Sequence, residues 1–268
     1  MNHQVDIIVI GDSKSGNETI KALASYKPTL KIAFISERFK STTTHDFLNV
    51  EYMKGEVTFT DYKNRLFGCY LKNGDRVYGT HLIIATGLKY KPLVVGTKKV
   101  PNVFNNVEEL PKHSKDLPAI VLGQTNVDAK FALAVAKKFR HVYLCTEQLG
   151  IKDITPANQR KLNETKNLVM LPNTSITKVC LSEGALKSVE LSNYSVLTCS
   201  AVFVKTDSTP ETTFVSNKLI VKTETGHLET NNRAESMLVP KCFAVGNCCK
   251  KYTKKIQQQM IDYIKADF

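Results

Sequence analysis

The chain has 268 residues, 42% of them hydrophobic, which is enough to bury one large core or two modest ones. No run approaches the roughly 18 to 20 uninterrupted apolar residues that a membrane helix needs, and the N-terminus lacks a signal peptide's apolar segment, so we expect a soluble, cytoplasmic protein with no membrane contact. A formal net charge of +12 favours anionic partners, but the lysines are scattered and no aromatic pattern of an RNA-binding sheet accompanies them, which makes nucleic acid a disfavoured partner.

The chain begins with a strand-helix-strand pattern over residues 5–37. Its turn, IIVIGDSKSG, carries Gly11 and Gly16 but has Ser13 at the middle position of the dinucleotide-binding fingerprint GxGxxG. Unpaired backbone N–H groups and the positive end of the helix dipole meet at such a turn and can bind a pyrophosphate. Glu37 ends the second strand, where an acid can accept hydrogen bonds from ribose hydroxyls.

A second strand-helix-strand pattern occupies residues 118–147. Its turn, GQTNVDAK, keeps Gly123, and its last strand leads to Glu147. Its helix has three apolar residues at four-residue spacing, which predicts that they share one face: Val127, Phe131 and Val135.

Each pattern is followed by a small antiparallel sheet. Residues 50–87 alternate apolar and polar side chains, turn at Asn73 and Gly74, and end in a buried strand. The strands after the second pattern repeat this order, with their turn at Glu183 and Gly184. The chain therefore duplicates a module, which predicts an α/β fold with two Rossmann-like nucleotide-binding domains. The last segment predicts an amphipathic helix with three residues on one face: Ile256, Met260 and Ile264.

The cysteines and histidines form no recognisable reactive group. The seven cysteines are an odd number without a CxxC or paired metal spacing, which predicts neither a disulfide framework nor a metal site. The six histidines are isolated from one another in sequence. The sequence therefore leaves the catalytic residues unknown, with the adjacent Cys248 and Cys249 as the pair of interest.

Four landmarks together resemble the two-domain flavoprotein disulfide reductases, and most of all the small thioredoxin reductase type. They are IIVIGDSKSG, LIIATG, FVKTDSTPET and GHLETNNRAESMLVPKCFAVGN. The resemblance implies that both ends of the chain, residues 1–107 and 210–268, build a discontinuous FAD-binding domain. It also implies that residues 108–209 form an NAD(P)-binding-like domain inserted in the first, and that the protein is a homodimer.

The resemblance also carries over binding residues. It implies FAD contacts from Gly11, Ser13, Ser15 and Gly16 at the pyrophosphate, Glu37 at the adenosine ribose, Val57 at the adenine through its backbone, Thr86 and Gly87 on the flavin side of the turn, Gly246 and Asn247 near the ribityl chain, and Gln257 or Gln258 near the flavin ring. It implies NADH or NADPH contacts from Gly123, Thr125, Asn126 and Glu147. Glu147 favours NADH, because its carboxylate would repel a 2′-phosphate.

Several departures from the family pattern weaken the expected cofactor sites. Ser13 and Asn247 replace a glycine and an aspartate, which weakens the FAD site without abolishing it. Only about a dozen residues follow Glu37 where the family has a longer connection, so the flavin would be exposed or covered by another subunit. The second loop keeps only Gly123 of its glycines and has Lys130 in place of an acid, which puts nicotinamide binding in doubt. Residues 105–123 contain no cysteine, so the family's redox pair is absent there.

The sequence supports two hypotheses for the function. The first is an FAD-dependent pyridine-nucleotide oxidoreductase without a redox dithiol, which passes electrons from a reduced nicotinamide or a protein donor through the flavin to an unknown acceptor. The second is a degenerate, catalytically silent flavin- or nucleotide-binding subunit with a regulatory or scaffolding role. The missing cysteines and the two altered loops favour the second hypothesis.

Overall fold

A computed structural model describes residues 1–37, 39, 47–107, 116–205 and 207–268. The elements of the N-terminal part are β1 (Asn2–Ile10), α1 (Lys14–Ala24), β2 (Ile32–Ser36), β3 (Val50–Lys54), β4 (Val57–Lys63), β5 (Leu66–Leu71), β6 (Arg76–Ile84) and β7 (Leu88–Tyr90). The middle part contains β8 (Val94–Val95), β9 (Lys98–Lys99), β10 (Val103–Phe104), β11 (Ala119–Leu122), α2 (Asn126–Ala136), β12 (Val142–Cys145), α3 (Pro156–Glu164), β13 (Leu168–Leu171), β14 (Ile176–Ser182), β15 (Ala185–Leu191), β16 (Val196–Thr198) and β17 (Ala201–Val204). The C-terminal part contains β18 (Ser208–Pro210), β19 (Val221–Lys222), β20 (Leu228–Glu229), β21 (Cys242–Ala244) and α4 (Lys254–Ala266).

The chain divides into two structural units, of which unit 1 is Met1–Lys89 with Ser208–Phe268 and unit 2 is Tyr90–Asp207. The predicted insertion had its first boundary later, between residues 107 and 108, and residue 108 lies outside the described residues. Residues 90–107 go with unit 2 because β10 pairs with β17 and because Val100 is buried in a core with Ile120 and Val202. The second predicted boundary, after residue 209, lies close to the observed return of the chain.

Unit 1 is built on a seven-stranded sheet in the order β3-β2-β1-β6-β5-β4, with β21 also paired to β6. The pairs of β1 with β2 and β6, of β2 with β3, and of β21 with β6 are parallel, whereas β4, β5 and β6 are antiparallel neighbours. Successive residues of β1 pack on opposite faces: Ile7 joins the core beneath α1 and α4, and Ile8 joins the core on the other face. Burial on both faces explains why the strand IIVI is uninterrupted in its apolar character.

Unit 2 contains a five-stranded sheet in the order β10-β17-β11-β12-β13, whose neighbours all pair in parallel, and an antiparallel sheet of β14, β15 and β16. The predicted turn at Glu183 and Gly184 joins β14 to β15, and both residues have positive φ, 51° and 78°. This is the two-residue turn whose twist matches that of a hairpin. The mixed α/β architecture with two Rossmann-like units confirms the predicted fold class.

The predicted face of α2 is only partly correct, since Phe131 and Val135 are buried but Val127 is 61% exposed. At 3.6 residues per turn, each four-residue step drifts by about 40°, so Val127 lies about 80° from Val135 around the helix. By contrast, Met260 and Ile264 of α4 are buried as predicted, and Ile256 packs at the edge of the same core. Within the described residues, none of the helices is long and apolar enough to span a membrane.

Candidate functional site

The first dinucleotide loop lies between β1 and α1, and close backbone packing accounts for both of its glycines. Gly11 has a φ of +103°, and a Cβ added there would lie 2.5 Å from the Thr86 Cα. A Cβ at Gly16 would lie 2.1 Å from the Gly11 carbonyl oxygen. Real Cβ atoms do not approach backbone atoms this closely, so both positions require glycine. The loop is thereby held against the carboxyl end of β6.

Ser13 is the N-cap of α1, and its hydroxyl oxygen accepts a hydrogen bond of 3.2 Å from the Gly16 N–H. The serine at the middle fingerprint position therefore caps the helix with a neutral group. Asn17 also supports this turn, because its side-chain amide donates to the carbonyl oxygens of Asp12 and Ser13, at 2.9 and 3.1 Å. Its own Oδ1 is buried and has no hydrogen-bond partner among the described residues. The turn thus holds a polar acceptor that a donor, such as a hydroxyl or a water, would satisfy.

The end of β21 meets the same loop. Gly246 has a φ of +84°, and a Cβ at this position would lie 3.0 Å from the Ser15 Oγ, while the following Asn247 is exposed. Gly87, after β6, also has a positive φ, +72°, and the Thr86 hydroxyl donates to the Glu211 carbonyl oxygen at 2.6 Å. The carboxyl ends of β1, β6 and β21 therefore bring together eight predicted residues: Gly11, Ser13, Ser15, Gly16, Thr86, Gly87, Gly246 and Asn247. Open α/β sheets bind ligands at this edge.

Glu37 lies next to this edge, and Val57 follows Gly55, whose N–H donates to the Ser36 carbonyl oxygen at the end of β2 at 2.9 Å. Glu37 directly follows β2, whose Ile35 carbonyl oxygen accepts from the Gly11 N–H at 2.8 Å, and Glu37 is exposed. Val57 opens β4 and its side chain is buried in the core, so only its backbone is available for a ligand. Most of the short connection after Glu37, residues 38 and 40–46, lies outside the described residues.

Gln257, which the resemblance placed near the flavin ring, is turned into the protein. It is buried, and its amide nitrogen donates to the Ser15 carbonyl oxygen at 2.9 Å and to the Thr19 hydroxyl at 3.0 Å. Its amide oxygen accepts from the Tyr252 hydroxyl, which in turn accepts from the Ser15 hydroxyl at 2.9 Å. These contacts tie α4 to the first turn of α1, so Gln257 supports the loop from within the protein.

The predicted alternative, Gln258, is exposed and donates to Asp262 at 2.9 Å. Tyr252 was missed from the sequence because it lies in the lysine-rich segment KKYTKK, which indicates a solvated surface. The tyrosine between lysines was the one signal available, because a tyrosine ring tends to be buried while its hydroxyl forms a hydrogen bond.

The second dinucleotide loop, between β11 and α2, contains an internal anion. The Asp128 Oδ2 accepts hydrogen bonds from the N–H groups of Gln124 and Thr125, at 3.0 and 2.9 Å, and from the Thr125 hydroxyl at 2.7 Å. A Cβ at Gly123 would lie 2.2 Å from the Asp128 Cβ, so Gly123 makes room for this side chain. Asp128 was not predicted as a site residue, although Thr125 and Asp128 match the capping pattern in which an acid follows a threonine by three positions.

The other predicted residues of this loop are divided between two surroundings. Glu147 accepts from the Gln124 side-chain amide at 2.9 Å, and both residues line a cavity of about 330 Å³ together with Gly123 and Asp128. Asn126 is instead bound to α3, since its Oδ1 accepts from the Asn158 amide at 2.7 Å. The backbone and hydroxyl of Thr125 are bonded to Asp128. Lys130 is exposed.

The cysteines are free thiols, and six of the seven are buried, Cys180 being the exposed one. The Sγ atoms of Cys248 and Cys249 lie 4.0 Å apart, just after Gly246. The hydrogen bond between them lowers the pKa of Cys248 and raises that of Cys249. In the described part of the chain, no group of three or more His, Cys, Asp or Glu side chains is placed to hold a metal ion.

Comparison with solved structures supports the predicted resemblance. Thioredoxin reductase from Streptococcus pyogenes MGAS5005 aligns over 100% of both chains with a TM-score of 0.66 and 15% identity. The enzyme from Lactococcus lactis aligns over 98% of this chain and 100% of its own, with a TM-score of 0.63 and 15% identity. That from Giardia duodenalis aligns over 99% and 100%, with a TM-score of 0.60 and 17% identity. At these identities the likeness shows the fold.

The sequence comparisons give the family. No curated protein matches the sequence. The family model described as pyridine nucleotide-disulphide oxidoreductase matches residues 18–261, which is most of the chain. This family implies FAD and NAD(P)H as cofactors, the two that the sequence predicted. Because this match covers most of the sequence, the chain belongs to the pyridine nucleotide-disulphide oxidoreductase family.

Proposed function

We propose that the protein is an FAD-dependent oxidoreductase that transfers electrons from a reduced nicotinamide or a protein donor to an acceptor without using a redox dithiol. The observation that carries this proposal is the meeting of Gly11, Gly16 and Gly246 at the carboxyl ends of three parallel strands, against the N-terminus of α1. Bound FAD would supply the electron-transfer chemistry.

The residues at this edge suit a dinucleotide. The positive end of the α1 dipole favours a pyrophosphate, and the close-packed glycines hold the loop backbone against the carboxyl ends of the strands, where a ligand would bind. The exposed Glu37 could accept from ribose hydroxyls, and the exposed Asn247 could bond a ribityl hydroxyl. Because Ser15 and Tyr252 are bonded to each other and to Gln257, they would hold the loop in shape when the cofactor binds.

The cysteines of this chain do not suit disulfide reduction. The sequence contains no CxxC. Cys248 and Cys249 are buried, and a disulfide between chain neighbours closes a strained eight-membered ring. Electrons would therefore pass from the flavin to the acceptor directly, and the acceptor stays unassigned. We also propose a cytoplasmic homodimer, as the resemblance implies, and light scattering of the purified protein would test its dimeric state.

The second candidate function is the silent binding or regulatory subunit. The specific observation in its favour is the Asp128 carboxylate in the second loop, which occupies donors that a nicotinamide dinucleotide would use. In this case the protein would hold FAD without accepting electrons from NAD(P)H.

Anaerobic titration of the FAD-loaded protein tests the proposal. Bleaching of the flavin absorbance by NADH or NADPH supports a pyridine-nucleotide oxidoreductase, and bleaching only by a protein reductant supports a different donor. A flavin that is bound but never turned over by any supplied donor and acceptor supports the silent subunit. Failure to bind FAD contradicts both candidate functions. If FAD binds at the first loop, Gly11→Ala should lose FAD whereas the control Gly74→Ala should keep it.

A further inference from the structure

We propose that Asp128 is an internal competitor for the second dinucleotide loop, because its carboxylate takes the place that a pyrophosphate would occupy. One atom, Oδ2, accepts from two backbone N–H groups and one hydroxyl at 2.7 to 3.0 Å. These donors stand at the N-terminus of α2, an 11-residue helix. A carboxylate has the charge and the hydrogen-bonding capacity that this position favours in a phosphate.

The two anions cannot use these donors at the same time. The Gln124 N–H and the Thr125 N–H each have a single hydrogen, and both point at Asp128. A pyrophosphate at the loop would also face an uncompensated carboxylate at short range, and like charges repel most strongly where burial removes water, as it does at Asp128, which is only 9% exposed. A dinucleotide must therefore displace Asp128 before it can bind.

The charges around the second loop also disfavour the binding of an anion. The cavity beside the loop is lined by two carboxylates, Asp128 and Glu147, and by one cationic side chain, Lys205. The Lys205 ammonium already donates to the Asn105 carbonyl oxygen at 3.0 Å and lies 4.5 Å from the centre of the Phe131 ring. One hydrogen of this ammonium and part of its charge are therefore already engaged within the protein.

The first loop differs in the group that caps its helix. There the Gly16 N–H is met by the neutral hydroxyl of Ser13, which can yield to a phosphate at low electrostatic cost. The protein thus has one loop suited to a dinucleotide and one in which a dinucleotide competes with the chain itself. The inference rests on the proposed function for its consequence, which is that reduced nicotinamides bind unit 2 weakly and that Asp128 sets their affinity.

Calorimetric titration with ADP-ribose tests this, because the probe keeps the adenosine and the pyrophosphate but cannot reduce the flavin. The full-length FAD-loaded protein would be compared with Asp128→Ala, Asp128→Asn and the control Glu164→Ala, which removes one exposed carboxylate at the end of α3. We expect Asp128→Ala to bind ADP-ribose about tenfold more tightly or better than the unmodified protein, and Asp128→Asn to gain part of this. Glu164→Ala should not change the affinity.

Unchanged FAD content and melting temperature would show that each variant is folded. If Asp128→Ala does not fold, Asp128→Asn carries the test, since it keeps the size of the side chain and an acceptor oxygen. Equal affinities in the unmodified protein and both Asp128 variants would overturn the inference, as would no binding by any of them. Because ADP-ribose binding is read without electron transfer, a failure here is distinct from a failure of the flavin to be reduced.

Discussion

Replacing Gly11 by alanine should separate backbone strain from collision in the first dinucleotide loop. Alanine at the φ of +103° costs about 1–3 kcal/mol in conformational strain. The added Cβ would lie 2.5 Å from the Thr86 Cα and 2.7 Å from the Ala85 carbonyl carbon, both backbone atoms that cannot move independently. Overpacking of this kind costs about another 1–3 kcal/mol, so we expect Gly11→Ala to lose about 2–6 kcal/mol.

Gly74→Ala is the matched control. Gly74 has a similar φ of +89°, but a Cβ there would meet no atom within 4 Å, so only the strain is incurred. The two variants should therefore differ by about 2 kcal/mol, which corresponds to about 1 M in the urea midpoint at an m-value of about 2 kcal/mol/M. Urea unfolding of the FAD-free protein, followed by circular dichroism, measures this difference.

The cofactor provides a second readout of the same pair. Gly11→Ala should also lose FAD on gel filtration, because the loop must shift away from the end of β6, whereas Gly74→Ala should keep it. Equal destabilisation of the two variants would refute the reasoning from close packing. Retention of FAD by a clearly destabilised Gly11→Ala would refute the placement of the cofactor at this loop.

Three further predictions concern other parts of the protein. Burial lowers the pKa of His81, so the stability that its neutral ring contributes is present above the ordinary pKa near 6.5 and is lost as the pH falls below that value. The decline in melting temperature between about pH 7 and pH 5 should therefore flatten in His81→Gln. The same decline should persist in the control His141→Gln, which keeps His81. A thiol reagent should modify only Cys180 quickly in the native protein and all seven cysteines after denaturation, and rapid reaction of a second native thiol would contradict the buried positions. Gln257→Ala should lower the free energy of unfolding by about 1–3 kcal/mol, because it leaves the Ser15 carbonyl oxygen and its neighbours without their buried partner, and should leave the flavin spectrum unchanged; a shifted spectrum would instead place Gln257 beside the flavin ring.

Local patterns in the sequence were sufficient for the architecture. The apolar run before Gly11 predicted a buried strand, and Glu183 with Gly184 predicted a tight hairpin, because strand period and turn residues act over a few positions. The capping pattern of Thr125 and Asp128 is equally local, and the sequence alone could have predicted it. Its meaning for the loop needed the structure, since the pattern does not say which N–H groups the carboxylate will take.

Contacts between distant parts of the chain were decided by the tertiary structure alone. Gln257 lies 242 positions from Ser15, and whether it faces a cofactor or α1 depends on how α4 packs. The assignment of residues 90–107 to unit 2 likewise depends on the pairing of β10 with β17, about 100 positions further along the chain. Such contacts leave no periodic signal in the sequence, because each is specified by the fit of two surfaces that only folding brings together.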